Sequence, residues 1–528
     1  MSNELQYLST LVAKGKMHRR AFLGRASALG VSSVFANSLL VGAAHAEGPV
    51  KGGTIKLGAP GGESTNSLDP ATYSSFIPFQ NGKMFGDTLV EVGTDGNIVN
   101  RLAEEVGASD DAKVWTFKIR KDVTFHDGKT MTPADVIATM ERHSDENAKS
   151  GALGLMKGIS SMKVDGDNFV LELKDANADL PYLMSDYHLI IQPNGGKDAP
   201  DAGVGTGPYL TKVNEPGVRH GYEKNPNYWD SSRGHADQVE LIVLNDDTAR
   251  SSALQSGQVH MIERVPPKIA ELVKRIPGVE LKNAPGRGHY VFIMHRDTAP
   301  FDNEDLRLAL KYGINRQEMV DKILFGYGSI GNDMPINAAY PLFSNDIEQR
   351  TYDPDKAAFH FKKSGIDGSV LLRTADGSFP GAVDASQLYQ ESLKQAGISL
   401  EVKREPNDGY WSDVWNKQPF CTSYWGGRPT QDQMYSTAYL STADWNDTRF
   451  KSPEFDAMLL SARGELDQVK RKQIYRDMGV MMNQTGGLIC PMFNDWLEAI
   501  SDKIGGWESN GNQAMMDGFA PIKCWLKA

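Results

Sequence analysis

Trp115-Thr116-Phe117-Lys118-Ile119-Arg120-Lys121 leads through Val123-Thr124-Phe125-His126-Asp127-Gly128 into Thr132-Pro133-Ala134-Asp135-Val136. Trp115, Phe117 and Ile119 alternate with polar neighbours, which puts them on one face of a half-buried strand. Asp127-Gly128 signals a turn, because glycine enters the left-handed region without steric cost and Asp can bond its own backbone. Thr132 offers a capping oxygen just before Pro133, whose missing N–H costs nothing at the first helical position. Strand, turn and capped helix thus follow one another within one short stretch.

The same grammar recurs outward. Asp353-Pro354 and Ser452-Pro453-Glu454 start further helices, and Asn315-Arg316-Gln317-Glu318 starts another whose Met319, Val320, Ile323 and Leu324 form a buried stripe. Phe169, Leu171 and Leu173 mark one alternating strand, and Ile398, Leu400 and Val402 another. Residues 239–244 and 369–373 read as more deeply buried strands. The fold class is mixed α/β or α+β. At 528 residues the chain exceeds what one core usually serves, so two or more lobes are expected. No repeat or low-complexity linker separates them, which predicts ordered crossings.

With 40% hydrophobic and 23% charged residues, the chain is neither a multi-span membrane protein nor a disordered tail. A formal charge of −11 argues against general binding to nucleic acid or anionic membranes, which demand a basic face. Residues 1–46 differ from the rest. Lys14, Lys16, Arg19, Arg20 and Arg25 stand against Glu4 alone, and a soft apolar stretch follows over 26–44. That layout is a targeting peptide. His18-Arg19-Arg20-Ala21-Phe22-Leu23-Gly24 resembles the twin-arginine export signal, and Ala44-His45-Ala46 has the small-x-small pattern of a cleavage site, giving a mature start at Glu47. The alternative is an uncleaved anchor, but Ser, Asn and Gly dilute the stretch. Cys421, Cys490 and Cys524 permit at most one bridge and are too scattered for a zinc site.

Several motifs fail as catalytic sites. Gly326-Tyr327-Gly328-Ser329-Ile330-Gly331 has dinucleotide-site spacing but follows a predicted helix instead of a strand. Gly203-Val204-Gly205-Thr206-Gly207 lacks the lysine of a P-loop. His289 and His295 could share a strand face, a pair more often structural than metal-binding, and His126 reads either as a general base or as part of the Asp127-Gly128 turn, where local backbone groups would satisfy it. Neither a cofactor nor a metal site is expected, and no enzyme.

Read in order, the mature chain resembles the large solute-binding proteins of ABC importers, the family of dipeptide, oligopeptide, nickel, haem and opine receptors. Gly86-Asp87-Thr88-Leu89-Val90-Glu91, Asp95-Gly96 and Leu102-Ala103-Glu104 open the likeness, and the strand, turn and helix of 115–136 are its most specific part. Gly205-Thr206-Gly207-Pro208-Tyr209, Lys224-Asn225-Pro226-Asn227-Tyr228-Trp229 and Ala253-Leu254-Gln255-Ser256-Gly257 continue it. Pro300-Phe301-Asp302-Asn303, Leu306-Arg307-Leu308-Ala309-Leu310 and Tyr352-Asp353-Pro354-Asp355-Lys356-Ala357 carry it into the second half. The resemblance implies two lobes that close on a ligand. Lobe I would hold 47–75 and 205–290, an additional subdomain 76–204, lobe II 291–497, and 498–528 would return to lobe I. The crossings are expected near 288–294 and 488–497.

The resemblance further implies a periplasmic monomer that captures a peptide or peptide-like solute. It would deliver this to an inner-membrane permease and its ATPase subunits, without nucleic acid as a partner. An opine, a sugar phosphate or a chelate is the alternative solute, and an exported enzyme the alternative of another class. In the peptide receptors a lobe II strand ends in Trp, with a nearby Asp that pairs with the ligand's α-ammonium. Here the segment is Tyr424-Trp425-Gly426-Gly427-Arg428-Pro429-Thr430-Gln431-Asp432, with Arg428 where that Asp is expected. A guanidinium repels an ammonium but forks onto a carboxylate or phosphate, so an anionic ligand group is expected there. Asp432 would receive an ammonium if the segment carries a gap. Trp425, Tyr424, Tyr410 and Trp411 are expected as aromatic walls, Tyr209 as a facing residue from lobe I, and Arg373 as a second anion contact.

Overall fold

Three sheets carry the fold in this computed structural model, which describes residues 48–527 with Asp95 and Leu466 left out. The expected export signal and cleavage site over 1–46 lie outside the described residues. Among those described, no helix is long and apolar enough to cross a membrane.

The first sheet has seven strands in the order Val279–Ala284, Trp496–Ser501, Met261–Ile262, Thr54–Ala59, Gln238–Val243, Arg219–Lys224, Tyr209–Glu215. Thr54–Ala59 at its centre pairs in parallel with both neighbours, and its Ile55, Leu57 and Ala59 are fully buried. The second sheet has six strands in the order Gly328–Ile330, Leu488–Asn494, His289–Met294, Phe420–Trp425, Val370–Thr374, Leu400–Arg404. The third is a four-stranded antiparallel sheet in which Trp115 lies opposite Leu171 and Phe117 opposite Phe169. Those side chains pack on Val136 and Met140 of the helix Pro133–Ser144, so the alternation that opens the sequence builds this subdomain's core.

The chain passes between the two large sheets twice. It leaves lobe I after Val279–Ala284 and enters lobe II at His289, then returns between Leu488–Asn494 and Trp496–Ser501 with Asp495 alone between them. The apolar runs read as crossings are thus largely the paired central strands of lobe II, and the links themselves are 285–288 and Asp495. Extended apolar residues look alike in both roles, and only pairing separates them. The helix Phe76–Phe85 also departs from expectation, since Phe76, Ile77, Phe79 and Met84 pack in the lobe I core with Leu57 and Tyr209. The subdomain core begins at Leu89. In the strand Val370–Thr374, Val370 and Leu372 are buried but Leu371 is 36% exposed, so one face only is covered.

Capping side chains hold the expected helix starts. Asp353 accepts the Lys356 N–H at 2.9 Å, Ser452 that of Phe455 at 3.3 Å and Asn315 that of Glu318 at 3.2 Å. The Asp135 carboxylate accepts the Thr132 N–H at 2.9 Å. All three cysteines are buried and free.

Sequence blocks far apart meet in one buried polar hub that ties the subdomain to lobe I. Asp87 accepts from Thr206 Oγ1 at 3.0 Å, Tyr228 OH at 3.0 Å and Trp229 Nε1 at 3.1 Å. Beside it, Arg233 forks onto Glu91 at 2.7 and 2.6 Å, and Arg101 stands 3.3 Å from the same carboxylate. His126 bridges its loop to this block through Nε2 and the Gly207 carbonyl, 2.9 Å apart. Burial pushes the Glu91 carboxyl up, but the Arg233 and Arg101 guanidiniums outweigh it and bring it down to about 2. A depressed carboxylate contributes stability that is complete above its ordinary value of 4.5 and fades as pH falls toward 2. Glu91→Gln is therefore expected to lower the melting temperature at neutral pH and to flatten its decline between pH 4.5 and 2. A decline as steep as that of the unsubstituted protein, followed by circular dichroism, would remove Glu91 from acid unfolding.

Candidate functional site

The two lobes touch along a cleft lined by residues of both. On the lobe II side the strand Phe420–Trp425 ends in Trp425, and Gly426-Gly427 follows. A Cβ at Gly427 would sit 2.6 Å from the Asn512 carbonyl oxygen, so only glycine lets this turn approach the return segment of lobe I. Arg428 comes next. It is 4% exposed, its N–H donates to Tyr340 OH at 3.2 Å, and Nη1 donates to the Gly427 carbonyl at 3.2 Å. Its Nε is buried without a hydrogen-bond partner, and among the described residues it makes no ion pair. The Tyr187 ring of the opposite side lies 5.7 Å from the guanidinium carbon.

Around Arg428 opens a cavity with an aromatic wall. Trp411, Trp415, Tyr424, Trp425 and Trp445 line it from lobe II, and Phe79, Tyr187 and Trp496 from the other side. Trp415 and Trp425 meet at 6.2 Å and 68°, Trp415 and Trp445 at 5.7 Å and 80°, which are edge-to-face contacts. Asp447 fixes two of these rings, accepting from Trp415 Nε1 at 2.9 Å and Trp425 Nε1 at 3.1 Å. Burial raises its carboxyl to about 7 in spite of those bonds. Arg264 lies 3.9 Å from the Tyr424 ring centroid and pairs with the buried Glu263 at 2.7 Å. The lobes also meet where the Trp411 N–H donates to Glu63 at 3.2 Å and where His188 meets Trp445 edge-on at 5.0 Å.

Arg428, Trp425, Tyr424 and Trp411 thus share one cavity. The other expected residues stand elsewhere. Tyr410 is turned into the lobe II core, where its hydroxyl donates to the Thr422 carbonyl at 2.8 Å. Tyr209 starts a strand on the inward alternation and donates to the Ala236 carbonyl at 3.3 Å within the lobe I core. Asp432 is fully buried on the helix Gln431–Ala438 and neutralised by Arg463 at 2.5 Å. Arg373 pairs with Glu405, just beyond the neighbouring strand. Sequence reasoning missed Trp415, Trp445, Tyr187, Phe79, Arg264 and Trp496. A signal existed for two of them, since four of the nine tryptophans fall between 411 and 445.

A two-lobed body with an aromatic-walled cleft between the lobes is the architecture of a receptor, and the comparison with known sequences agrees. The profile of the bacterial extracellular solute-binding proteins, family 5 (middle), matches residues 97–447. The chain belongs to this family. Among curated relatives of this family 5 protein, the glutathione-binding protein GsiB of Pectobacterium atrosepticum is 25% identical over 439 residues, 79% of this chain and 84% of that protein. Heme-binding protein A of Haemophilus influenzae is 24% identical over 489 residues, 84% and 86% of the two chains. Among solved structures, the binding protein AgaA of A. tumefaciens in complex with agropinic acid has a TM-score of 0.83 at 22% identity, covering 90% of this chain and 99% of that one. DppA of Helicobacter pylori, in complex with the peptide STSA, has a TM-score of 0.82 at 20% identity, covering 91% and 99%. These likenesses fix the fold as that of a two-lobed periplasmic binding protein.

Proposed function

We propose that this family 5 protein is the periplasmic receptor of an ABC importer and captures a peptide or peptide-like solute through an anionic group held by Arg428. The observation that carries this is the buried guanidinium in the inter-lobe cleft, with an unsatisfied Nε and, among the described residues, no ion pair to a carboxylate. A buried charge is costly unless paired, and a solute carboxylate or phosphate supplies the missing partner when the lobes close. The aromatic wall supplies contact area for the body of the solute at little loss of side-chain entropy. Glutathione and agropinic acid, named for two similar proteins, are both acids, which fits the same reading.

Closure needs no chemistry. A solute that touches both lobes binds the closed form more tightly than the open one and shifts the population toward it, and the importer's membrane subunits then distinguish the two forms. The paired arginines Arg19-Arg20 with Phe22-Leu23, and the small residues Ala44 and Ala46, support twin-arginine export and cleavage before Glu47. Native mass spectrometry of protein recovered from its own cell envelope tests the reading. The expected result is a complex that releases, on denaturation, a chemically unaltered small acid. Release of an exclusively cationic solute would overturn it.

A further inference from the structure

The return segment of lobe I contains a conformation that L-residues rarely adopt in succession. Met515, Met516 and Asp517 have φ of +54°, +58° and +60°, and Gly518 follows at +77°. Each such non-glycine residue costs about 1–2 kcal/mol relative to its right-handed form. The turn is over-determined by its surroundings. The buried Glu498 carboxylate accepts the Met515 N–H, and Gln80 Nε2 donates to the Gly518 carbonyl at 2.8 Å. Met515 and Met516 are sunk in the lobe I core.

This turn directs Asp517 into the continuation of the cleft beyond Arg428, a compartment also lined by Lys83, Tyr187 and Gly427. Two other carboxylates line it and both are engaged, Glu91 by Arg233 and Asp186 by His188 at 2.5 Å. Asp517 is half-buried and, among the described residues, has neither a side-chain hydrogen bond nor an ion pair. Lys83 lies over the Phe519 ring at 4.1 Å and makes no ion pair among the described residues either. One compartment thus holds cations at Arg428 and Lys83 and an anion at Asp517, near enough to feel one another and, among the described residues, in no direct ion pair.

We infer that Asp517 receives a cationic group of the solute, so that the cleft selects dipolar solutes with an acid group on Arg428 and an ammonium on Asp517. This rests on the receptor reading given above. The left-handed turn serves to aim the carboxylate from lobe I at a cleft whose lobe II wall carries the opposite charge, so both lobes contribute to one dipolar solute.

The test is isothermal calorimetry with matched pairs that differ only in the amino group: Ala-Asp against propionyl-Asp, and glutathione against its des-amino analogue. The unsubstituted protein is expected to bind the amino member at least about tenfold more tightly. In Asp517→Asn and in Asp517→Gly the two members of each pair should bind alike. Glycine suits φ of +60°, so Asp517→Gly should melt no lower than the unsubstituted protein and misfolding cannot account for its loss. A preference for the amino member that survives in both variants, or equal binding by the unsubstituted protein, overturns the role of Asp517 and leaves the acid contact standing. Failure of the unsubstituted protein to bind any member of either pair removes the receptor reading for acidic peptides and this inference with it.

Discussion

Arg428→Gln lowers the affinity for an acidic solute by at least about a hundredfold, because a buried fork of charge-assisted hydrogen bonds is lost and the solute's anion is left desolvated. The solute is the tightest-binding member of a panel of glutathione, acidic dipeptides and agropinic acid, measured by calorimetry. The unliganded protein should melt at nearly the same temperature. Arg428 is 4% exposed and, among the described residues, its Nε is unpartnered and its guanidinium makes no ion pair, so the substitution breaks no direct ion pair. Arg428→Lys should recover only part of the affinity, since an ammonium is a point charge that cannot reproduce the planar fork. Affinity within about twofold of the unsubstituted protein would take Arg428 out of the site.

Asp333→Ala destabilises lobe II by about 3–5 kcal/mol, the range for breaking a buried ion pair by removing one partner. Asp333 is fully buried and its carboxylate accepts from Arg316 Nη2 at 2.6 Å and Arg350 Nε at 3.0 Å, while the second oxygen accepts the Cys490 N–H at 3.2 Å. Its loss strands two guanidiniums beside Lys311, itself fully buried and bonded to the Met482 and Asn483 carbonyls at 3.2 and 2.8 Å. For a lobe of about 200 residues the melting temperature should fall by about 10 °C. Calorimetric scanning reads this directly, and a shift within about 2 °C would show that the arginines find other partners. Solute affinity per folded molecule should be unchanged, because Asp333 lies in lobe II away from the cleft lining.

What could be read before folding was local. Proline after a capping residue fixes a helix start whatever surrounds it, so Pro133, Pro354 and Pro453 stand where the sequence puts them. Alternation told the inward face at Trp115, Phe117 and Ile119. It told nothing of which sheet an apolar run joins, and the segments 289–294 and 488–494 became central strands of lobe II by pairing with each other. The site divides in the same way. Trp425 and Arg428 were legible because a short segment carries them side by side. Trp445, Tyr187 and Arg264 come to the cleft from separate stretches of chain, and no local pattern announces that convergence. Tyr410 and Asp432 were misplaced because neighbourhood in sequence does not say to which side of a helical turn a side chain points. The charge of Asp517 became informative only once its backbone was seen to be left-handed and its neighbours' carboxylates engaged.

Small-angle X-ray scattering is the most direct measurement of the central claim, taken on protein stripped of solute and again after the solute recovered from the envelope is restored. The radius of gyration should fall as the lobes swing together, and the solute should be recovered unaltered. A radius that stays constant at saturating solute, or a solute returned as a different compound, contradicts the account.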